Sequence, residues 1–170
     1  MKHSTKQLVL ASVLAALTCA ATLVVTIPSP SGGFMNLGDT VVLLSAYLLG
    51  PLWGAAAAGI GSGMADLIAG YAAYVPATAV IKALMALCAA SLYRLPGKTP
   101  RRVLLCGLAA ESIMVLGYWC YDGFLMGSLS GAAVGIPSNL MQALFGLAAS
   151  CALTAALRAS GHLRRAFPDF

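Results

Sequence analysis

The chain alternates long apolar runs with short polar breaks, and the length of the runs is what names the elements. A helix that crosses a bilayer needs about 20 mostly apolar residues, with about 17–25 as the working range. Six segments meet or approach that length: residues 7–27, 38–50, 51–70, 76–93, 102–121 and 137–158. The second is short, and Gly50-Pro51 separates it from the third by a tight turn. The first has Lys2 and Lys6 before its apolar run, as a signal peptide does. It leads into Pro28, Pro30 and Gly32-Gly33 without a small-x-small cleavage site, so it is predicted to stay as a helix. The pattern predicts an all-α integral membrane protein, a single domain over residues 1–170 with six transmembrane helices.

Charged groups inside a membrane segment cost about 2.5–3.5 kcal/mol each on insertion scales and generally face the bundle interior. Asp39, Asp66, Lys82 and Glu111 all fall within such segments. At about 100° per residue, Ala55, Gly59, Gly63, Asp66 and Gly70 share one narrow arc of the third segment. Gly107, Glu111, Tyr118 and Asp122 share a face of the fifth, and Asn139, Gln142, Gly146 and Ser150 form a stripe on the sixth. Small residues at this spacing let a neighbouring helix approach closely, so the three polar seams are expected to meet. Counted from the outer ends, Asp66 and Lys82 lie roughly 10–12 Å deep. Asp39, Asn139 and Asp122 are expected nearer the outer surface and Glu111 nearer the midplane.

The other halves of these helices, such as Leu84 to Ala90 and Ala143 to Leu157, are almost purely apolar. A through-going pore needs polar lining along its whole length, so the pattern predicts a cup open to the outside. Tyr71, Tyr74, Tyr118 and Trp119 fall near its mouth. Charged and aromatic groups converging in one cavity favour a small polar or heteroaromatic ligand. Two plainer readings stand beside this one. Lys82 can simply neutralise Asp66 or Glu111 in a buried pair that sets helix register, and the tyrosines and tryptophan can form an ordinary interfacial belt.

Composition supports the membrane reading. The chain is 60% hydrophobic and 9% charged, with a mean hydropathy of +0.89. Soluble domains have roughly 45–50% apolar and about 25% charged residues. One soluble core could not hide this much apolar surface, whereas lipid can cover it. The net charge of +5 sits in short basic patches between apolar runs, with no stripe interleaved with aromatics, which fits anionic headgroups better than nucleic acid.

With a cytoplasmic N-terminus, Lys2, Lys6, Arg94, Lys98, Arg101, Arg102, Arg158, Arg164 and Arg165 all fall on the cytoplasmic side, and only Lys82 is left within a helix. The opposite loops, around 28–37, 71–76 and 122–136, carry no Lys or Arg, so both termini are expected inside. The five cysteines are odd in number and form no CxxC pair, which favours apolar packing residues over a metal site or disulfide frame. The outer stretches 29–35 and 127–131 read as flexible, either lids or plain connectors. No G-x-x-x-x-G-K-[ST] string is present, so any ATP must be hydrolysed by partners. No cofactor, metal or catalytic residue is expected.

The runs Asn36-Leu37-Gly38-Asp39-Thr40 and Leu48-Leu49-Gly50-Pro51-Leu52-Trp53-Gly54 resemble the substrate-binding S components of energy-coupling factor (ECF) vitamin transporters. Gly59 to Leu67, Gly70-Tyr71, Pro76-Ala77-Thr78 and Ile81 to Met85 continue the likeness, which is strongest over residues 36–86 and looks most like the riboflavin-type branch. The resemblance implies a subunit that captures a micronutrient from outside. A membrane scaffold subunit with two cytoplasmic ATPases then supplies the energy. It also implies plasma-membrane localisation in a prokaryote.

An Ala-x-x-x-Ala pattern on the first helix docks members of this family onto the scaffold, and Ala11 and Ala15 fit it. Family ligands sit among the loop after helix 1 and helices 4 to 6. The resemblance thereby points to Asn36 and Asp39, Lys82, Glu111 and Tyr118, and Asn139 and Gln142, with the helix 1–2 loop as gate. Asp66 and Tyr74 join this candidate set from the polar face and mouth described above. The pocket chemistry suits a small nitrogen heterocycle.

Other functions fit parts of the pattern. Asp39 and Asp66 could form an acid–base dyad for intramembrane proteolysis, although Asn36-Leu37-Gly38-Asp39 lacks the first glycine of a Gly-x-Gly-Asp string. A stand-alone secondary transporter, or an assembly protein without a ligand, also remains open at this level.

Overall fold

The computed structural model describes residues 5–95 and 99–160. Lys2, Lys98, Arg164 and Arg165 of the charge pattern lie outside these residues. The elements run α1 (Thr5–Val24), β1 (Ile27–Pro28), β2 (Phe34–Met35), α2 (Gly38–Leu49), α3 (Pro51–Ile68), α4 (Val75–Tyr93), α5 (Pro100–Met126), α6 (Leu129–Ala132), a 3-10 turn (Ala133–Gly135) and α7 (Ile136–Ser160). The six expected helices are present with boundaries within a few residues, except that α5 runs on to Met126. Thr5–Val24, Val75–Tyr93, Pro100–Met126 and Leu129–Ala159 are each long and apolar enough to cross a bilayer.

Local chemistry sets the breaks. Gly50, at φ +79°, turns the chain between α2 and α3, and Pro51 opens α3, where its missing N–H costs nothing. A side chain at Gly50 would collide with the Arg94 guanidinium, which lies against it. Thr99 caps α5 by accepting from the Arg102 N–H at 3.3 Å, and Gly127 ends that helix in the left-handed region. Residues 127–131, expected to be flexible, instead start α6. Ser128 accepts from the Gly131 N–H at 3.0 Å, and the Trp119 indole N–H donates to the Leu129 carbonyl at 2.9 Å.

Three helices approach α3 through its glycines. A Cβ at Gly61 would stand 2.4 Å from the Ala15 carbonyl oxygen, so α1 crosses α3 with no room for a side chain. A Cβ at Gly59 would stand 2.7 Å from the Ala79 carbonyl oxygen on α4, and one at Gly54 would stand 2.9 Å from the Ala46 Cα on α2. The expected small-residue arc of α3 therefore meets α4, while other α3 glycines admit α1 and α2. The outward surface stays apolar, with Leu8, Val13, Leu17, Ile60, Leu144 and Phe145 exposed.

At about 1.5 Å per residue, α2 is too short to cross the roughly 30 Å hydrocarbon layer. It is buried on nearly every side and so forms the centre of the bundle. Val42, Leu43, Tyr47, Met85, Ala89, Tyr93, Val103 and Met114 make the main core around it.

One ion pair stands inside this core. The Lys82 ammonium donates to Asp39 Oδ1, with the two side chains 2% and 0% exposed. In the plainer reading Lys82 neutralised Asp66 or Glu111; its partner is instead Asp39, which lies in the first turn of α2. The Gln142 amide donates to Asp39 Oδ2 at 2.6 Å, so α2, α4 and α7 meet at one carboxylate.

Two outcomes follow. Gly61→Ala should separate α1 from α3 and destabilise the protein by about 1–3 kcal/mol. It should lower the melting temperature in detergent, while Gly33→Ala, whose Cβ would stay 3.6 Å from its nearest neighbour, should leave it unchanged. Lys82→Met strands a buried carboxylate and should cost about 3–5 kcal/mol. The double variant Lys82→Met/Asp39→Leu should recover most of the yield of folded protein after heating. A double variant no better than the single one would exclude the pair as the determinant.

Candidate functional site

The loop between α1 and α2, expected as a flexible lid or a plain connector, forms a short antiparallel hairpin in which Ile27 pairs with Met35 and Pro28 with Phe34. Its turn closes through the Ser29 N–H to the Gly33 carbonyl at 2.8 Å, with Gly32 at φ +113°. The hairpin lies across one end of the bundle and is tied down on two sides. Ser29 Oγ meets Ser138 Oγ at 2.7 Å, and Ser138 in turn donates to the Gly135 carbonyl at 2.8 Å. Gly135 is the seat for this edge, since a Cβ there would stand 2.3 Å from Ser31 Oγ. On the other side the Tyr74 hydroxyl faces the Ser31 carbonyl at 3.4 Å, and the Phe34 ring rests 4.8 Å from that of Tyr71.

Beneath the hairpin is a polar cavity between α3, α4, α5 and α7. Its walls include Asn36, Asp66, Tyr74, Tyr118, Asn139 and Gln142, six of the nine ligand-contact residues expected from sequence. Three of the expected residues do not line it. Asp39 and Lys82 hold each other below it, both covered by protein. Glu111 sits on the far side of Asp39, its closeness made possible by Gly146, where a Cβ would stand 2.7 Å from Asp39 Cβ and 2.9 Å from Glu111 Oε1. Glu111 is 3% exposed, and neither of its carboxylate oxygens has a hydrogen-bond partner among the described residues. It borders a separate apolar groove of about 330 Å³ between α5 and α7, lined by Leu108, Val115, Leu140, Leu144 and Leu147 among others.

Several wall residues were not in the candidate set: Ser29, Ser31, Phe34, Tyr71, Thr78 and Asp122. Tyr71 and Asp122 were visible from helical phase and position near the mouth. The hairpin residues carry no periodic signal and enter only because the hairpin folds inward. Asp122 Oδ1 accepts from the Tyr74 hydroxyl at 2.9 Å, and the Tyr118 hydroxyl meets Thr78 Oγ1 at 2.9 Å. Burial, and after it the bond to the Asp122 carboxylate, raises the Tyr74 phenol above its usual pKa, so it remains a donor.

A hydrogen-bonded line runs from the hairpin to the core. The Asn36 N–H donates to Gln142 Oε1 at 2.9 Å, while Asn36 Oδ1 accepts the Gly38 N–H at 2.9 Å and so satisfies one of the free amides at the start of α2. The Gln142 amide continues to Asp39, and Asp39 to Lys82. Lys82 Nζ also sits 5.4 Å from the centroid of the Tyr118 ring. The floor of the cavity and the foot of the hairpin are thus one network.

A water-sized sphere has about 30 Å³ of this cavity to move in. That is room for a couple of waters, at roughly 10–15 Å³ each, and too little for a heteroaromatic ring. The hairpin residues Ser29, Ser31, Gly33 and Phe34 form part of the cavity wall. Among the described residues no group of three or more His, Cys, Asp or Glu is placed to hold a metal ion. Both Asp39 oxygens are engaged by Lys82 and Gln142, and Asp39 does not join Asp66 in the cavity wall.

Ala11 and Ala15 lie on α1 at its contact with α2 and α3. Ala11 is 6% exposed in a cluster with Leu14, Val41, Leu49 and Ala57, while Ala15 is half-buried at its edge.

Comparison with known proteins agrees with this architecture. A solved structure described as the S component of a bacterial ECF transporter superposes with a TM-score of 0.76, covering 92% of this chain and 98% of that one at 20% identity, a likeness of fold. A protein of Pyrococcus woesei, described as an uncharacterized protein in gap 3'region, is 37% identical over 128 residues, 74% of this chain and 84% of that protein. The family model described as ECF-type riboflavin transporter, S component, matches residues 2–159. With four helices long and apolar enough to cross a bilayer, an apolar exterior and that match over nearly its whole length, the chain is a multi-pass membrane protein and belongs to the ECF transporter S component family.

Proposed function

We propose that this protein is the substrate-specificity subunit of an ATP-driven ECF importer in a prokaryotic plasma membrane. It takes a small water-soluble vitamin or related nitrogen heterocycle into the cavity under the hairpin. The observation that carries the reading is the cavity itself: polar and aromatic groups from four helices converge at one end of an otherwise apolar bundle, under a cover held by side-chain contacts. A site reached from one face and closed beneath by an ion pair captures a solute but does not conduct it. Transport then needs an outside source of work.

The cavity end faces outward and both termini lie in the cytoplasm, as the clustering of Lys and Arg supports. A scaffold subunit docks along α1, and two ATPase subunits drive the loaded cup inward. Within the Ala-x-x-x-Ala pattern, Ala11 serves the fold, and Ala15 with the outward face beside it is the part open to a partner. Small residues permit the close helix contact this needs. The hairpin acts as the gate, because no ring can enter the present cavity without moving it.

Co-expression with a scaffold and ATPase module should yield a stable complex, and uptake should require ATP hydrolysis. Uptake by the lone chain driven by a proton or sodium gradient would instead identify a secondary transporter. Mass spectrometry of small molecules released from the purified protein should recover a nitrogen heterocycle.

The gate has its own test. With the native cysteines replaced, Ser29→Cys/Ser138→Cys should cross-link under oxidation and slow ligand association at least tenfold, with recovery on reduction. Unchanged association in the cross-linked protein would sink the gate.

A further inference from the structure

We infer that the ligand is a compact nitrogen heterocycle carrying a positive charge, and that the carboxylates of Asp66 and Asp122 are what select it. This rests on the reading of the chain as a solute-binding subunit and narrows the class of solute.

The cavity wall contains two carboxylates, Asp66 and Asp122, and no lysine, arginine or histidine. Both are buried, at 5% and 2% exposure. Among the described residues neither has a basic side chain within salt-bridge distance. Lys82 lies within electrostatic reach of Asp66, but its ammonium is bound by Asp39 and its charge is already matched there. Asp122 accepts from the neutral Tyr74 hydroxyl, and the neutral Thr78 hydroxyl lies beside Asp66. Buried carboxylates are ordinarily paired or ligating, so two facing one small cavity leave an uncompensated negative site that a cation completes.

The rest of the wall fits the same class. The rings of Tyr71, Tyr74 and Tyr118 and of Phe34 border the cavity, with Phe34–Tyr71 centroids 4.8 Å and Tyr71–Tyr74 centroids 6.3 Å apart. Aromatic faces attract a cation and stack on a flat heterocycle. Tyr118 already does so for the protein's own cation, with Lys82 Nζ 5.4 Å from its centroid. The amides of Asn36, Asn139 and Gln142 offer acceptors and donors to ring substituents. An anionic vitamin would meet two carboxylates of its own sign. A neutral tricyclic flavin would leave both unpaired.

The test uses the full chain in lipid nanodiscs and equilibrium dialysis against three groups of probes. Thiamine, 1-methylnicotinamide and pyridoxamine are the cations, riboflavin is neutral, and pantothenate and biotin are anions. At least one cation should bind 100-fold more tightly than riboflavin or either anion. Asp66→Asn and Asp122→Asn, which keep the shape of the side chain, should each weaken that cation at least tenfold while the melting temperature of the empty protein holds. Asp122→Asn still accepts from Tyr74 and guards against loss of fold at Asp66. Tighter binding of riboflavin or an anion overturns the charge assignment and leaves the importer reading standing. So does cation binding that is indifferent to both substitutions. If no probe binds and no energising complex forms, both fall together.

Discussion

An ammonium and a carboxylate that meet where neither can reach water set the terms for the rest of this molecule. Alone, Lys82 or Asp39 would oppose insertion of its helix by a few kcal/mol. Joined, and with the second carboxylate oxygen satisfied by Gln142, they become a fixed point between α2, α4 and α7. Such a pair adds little net stability relative to a well-packed apolar core, but it tolerates only one register. That constraint explains how α2, only 12 residues long, can sit at the centre. Surrounding helices shield it, and its first turn is anchored from two sides. The same carboxylate passes its hold through Gln142 to the Asn36 amide, and so to the foot of the hairpin. Opening the hairpin therefore disturbs hydrogen bonds that belong to the core.

Close helix contact makes this arrangement affordable in lipid, where water supplies no hydrophobic drive between helices. The glycines of α3 admit α1, α2 and α4 at backbone distance, and Gly146 lets α7 reach Asp39 and Glu111. Because these contacts use no side-chain volume, the large apolar side chains are left to face lipid and the core. The polar ones collect at the end where the hairpin closes. Glu111 is the exception. Its carboxylate has no hydrogen-bond partner among the described residues and adjoins an apolar groove.

The spans and the interior charges were legible in the sequence because length and phase are local properties. A run of some twenty apolar residues has few alternatives, and 3.6 residues per turn places Asp66 or Gln142 on an inward face without knowledge of what stands opposite. Partners are not local. Phase could bring Lys82 inward but could not choose among Asp39, Asp66 and Glu111, since that choice depends on how far each helix slides along its neighbours. The hairpin was unreadable because strands of two residues each have no periodicity to detect. Residues 127–131 looked flexible by composition, yet Gly127 and the two serines are what a helix end, a cap and a short turn require. Ala11 and Ala15 show how little a small-residue pattern says by itself, since the same spacing serves packing within the chain and contact with a partner.

The small free space under the closed hairpin bears on how binding can be turned into transport. A ligand shifts a conformational equilibrium only by the difference in its affinity for the two states. Here the closed state already satisfies its own polar groups through Ser29–Ser138, Tyr74–Asp122 and Asn36–Gln142. On the proposed function, entry would break some of these bonds, and reclosure over a ligand would be favoured only if the ligand's contacts replaced them. A solute that matches the donors, acceptors and charge of the wall can do so, while one that merely fills space leaves buried groups unpaired. On that proposal, selectivity and closure are set by the same few side chains. Because the Asn36–Gln142 bond continues to Asp39, the state of the hairpin reaches the helices on which any partner subunit would bear.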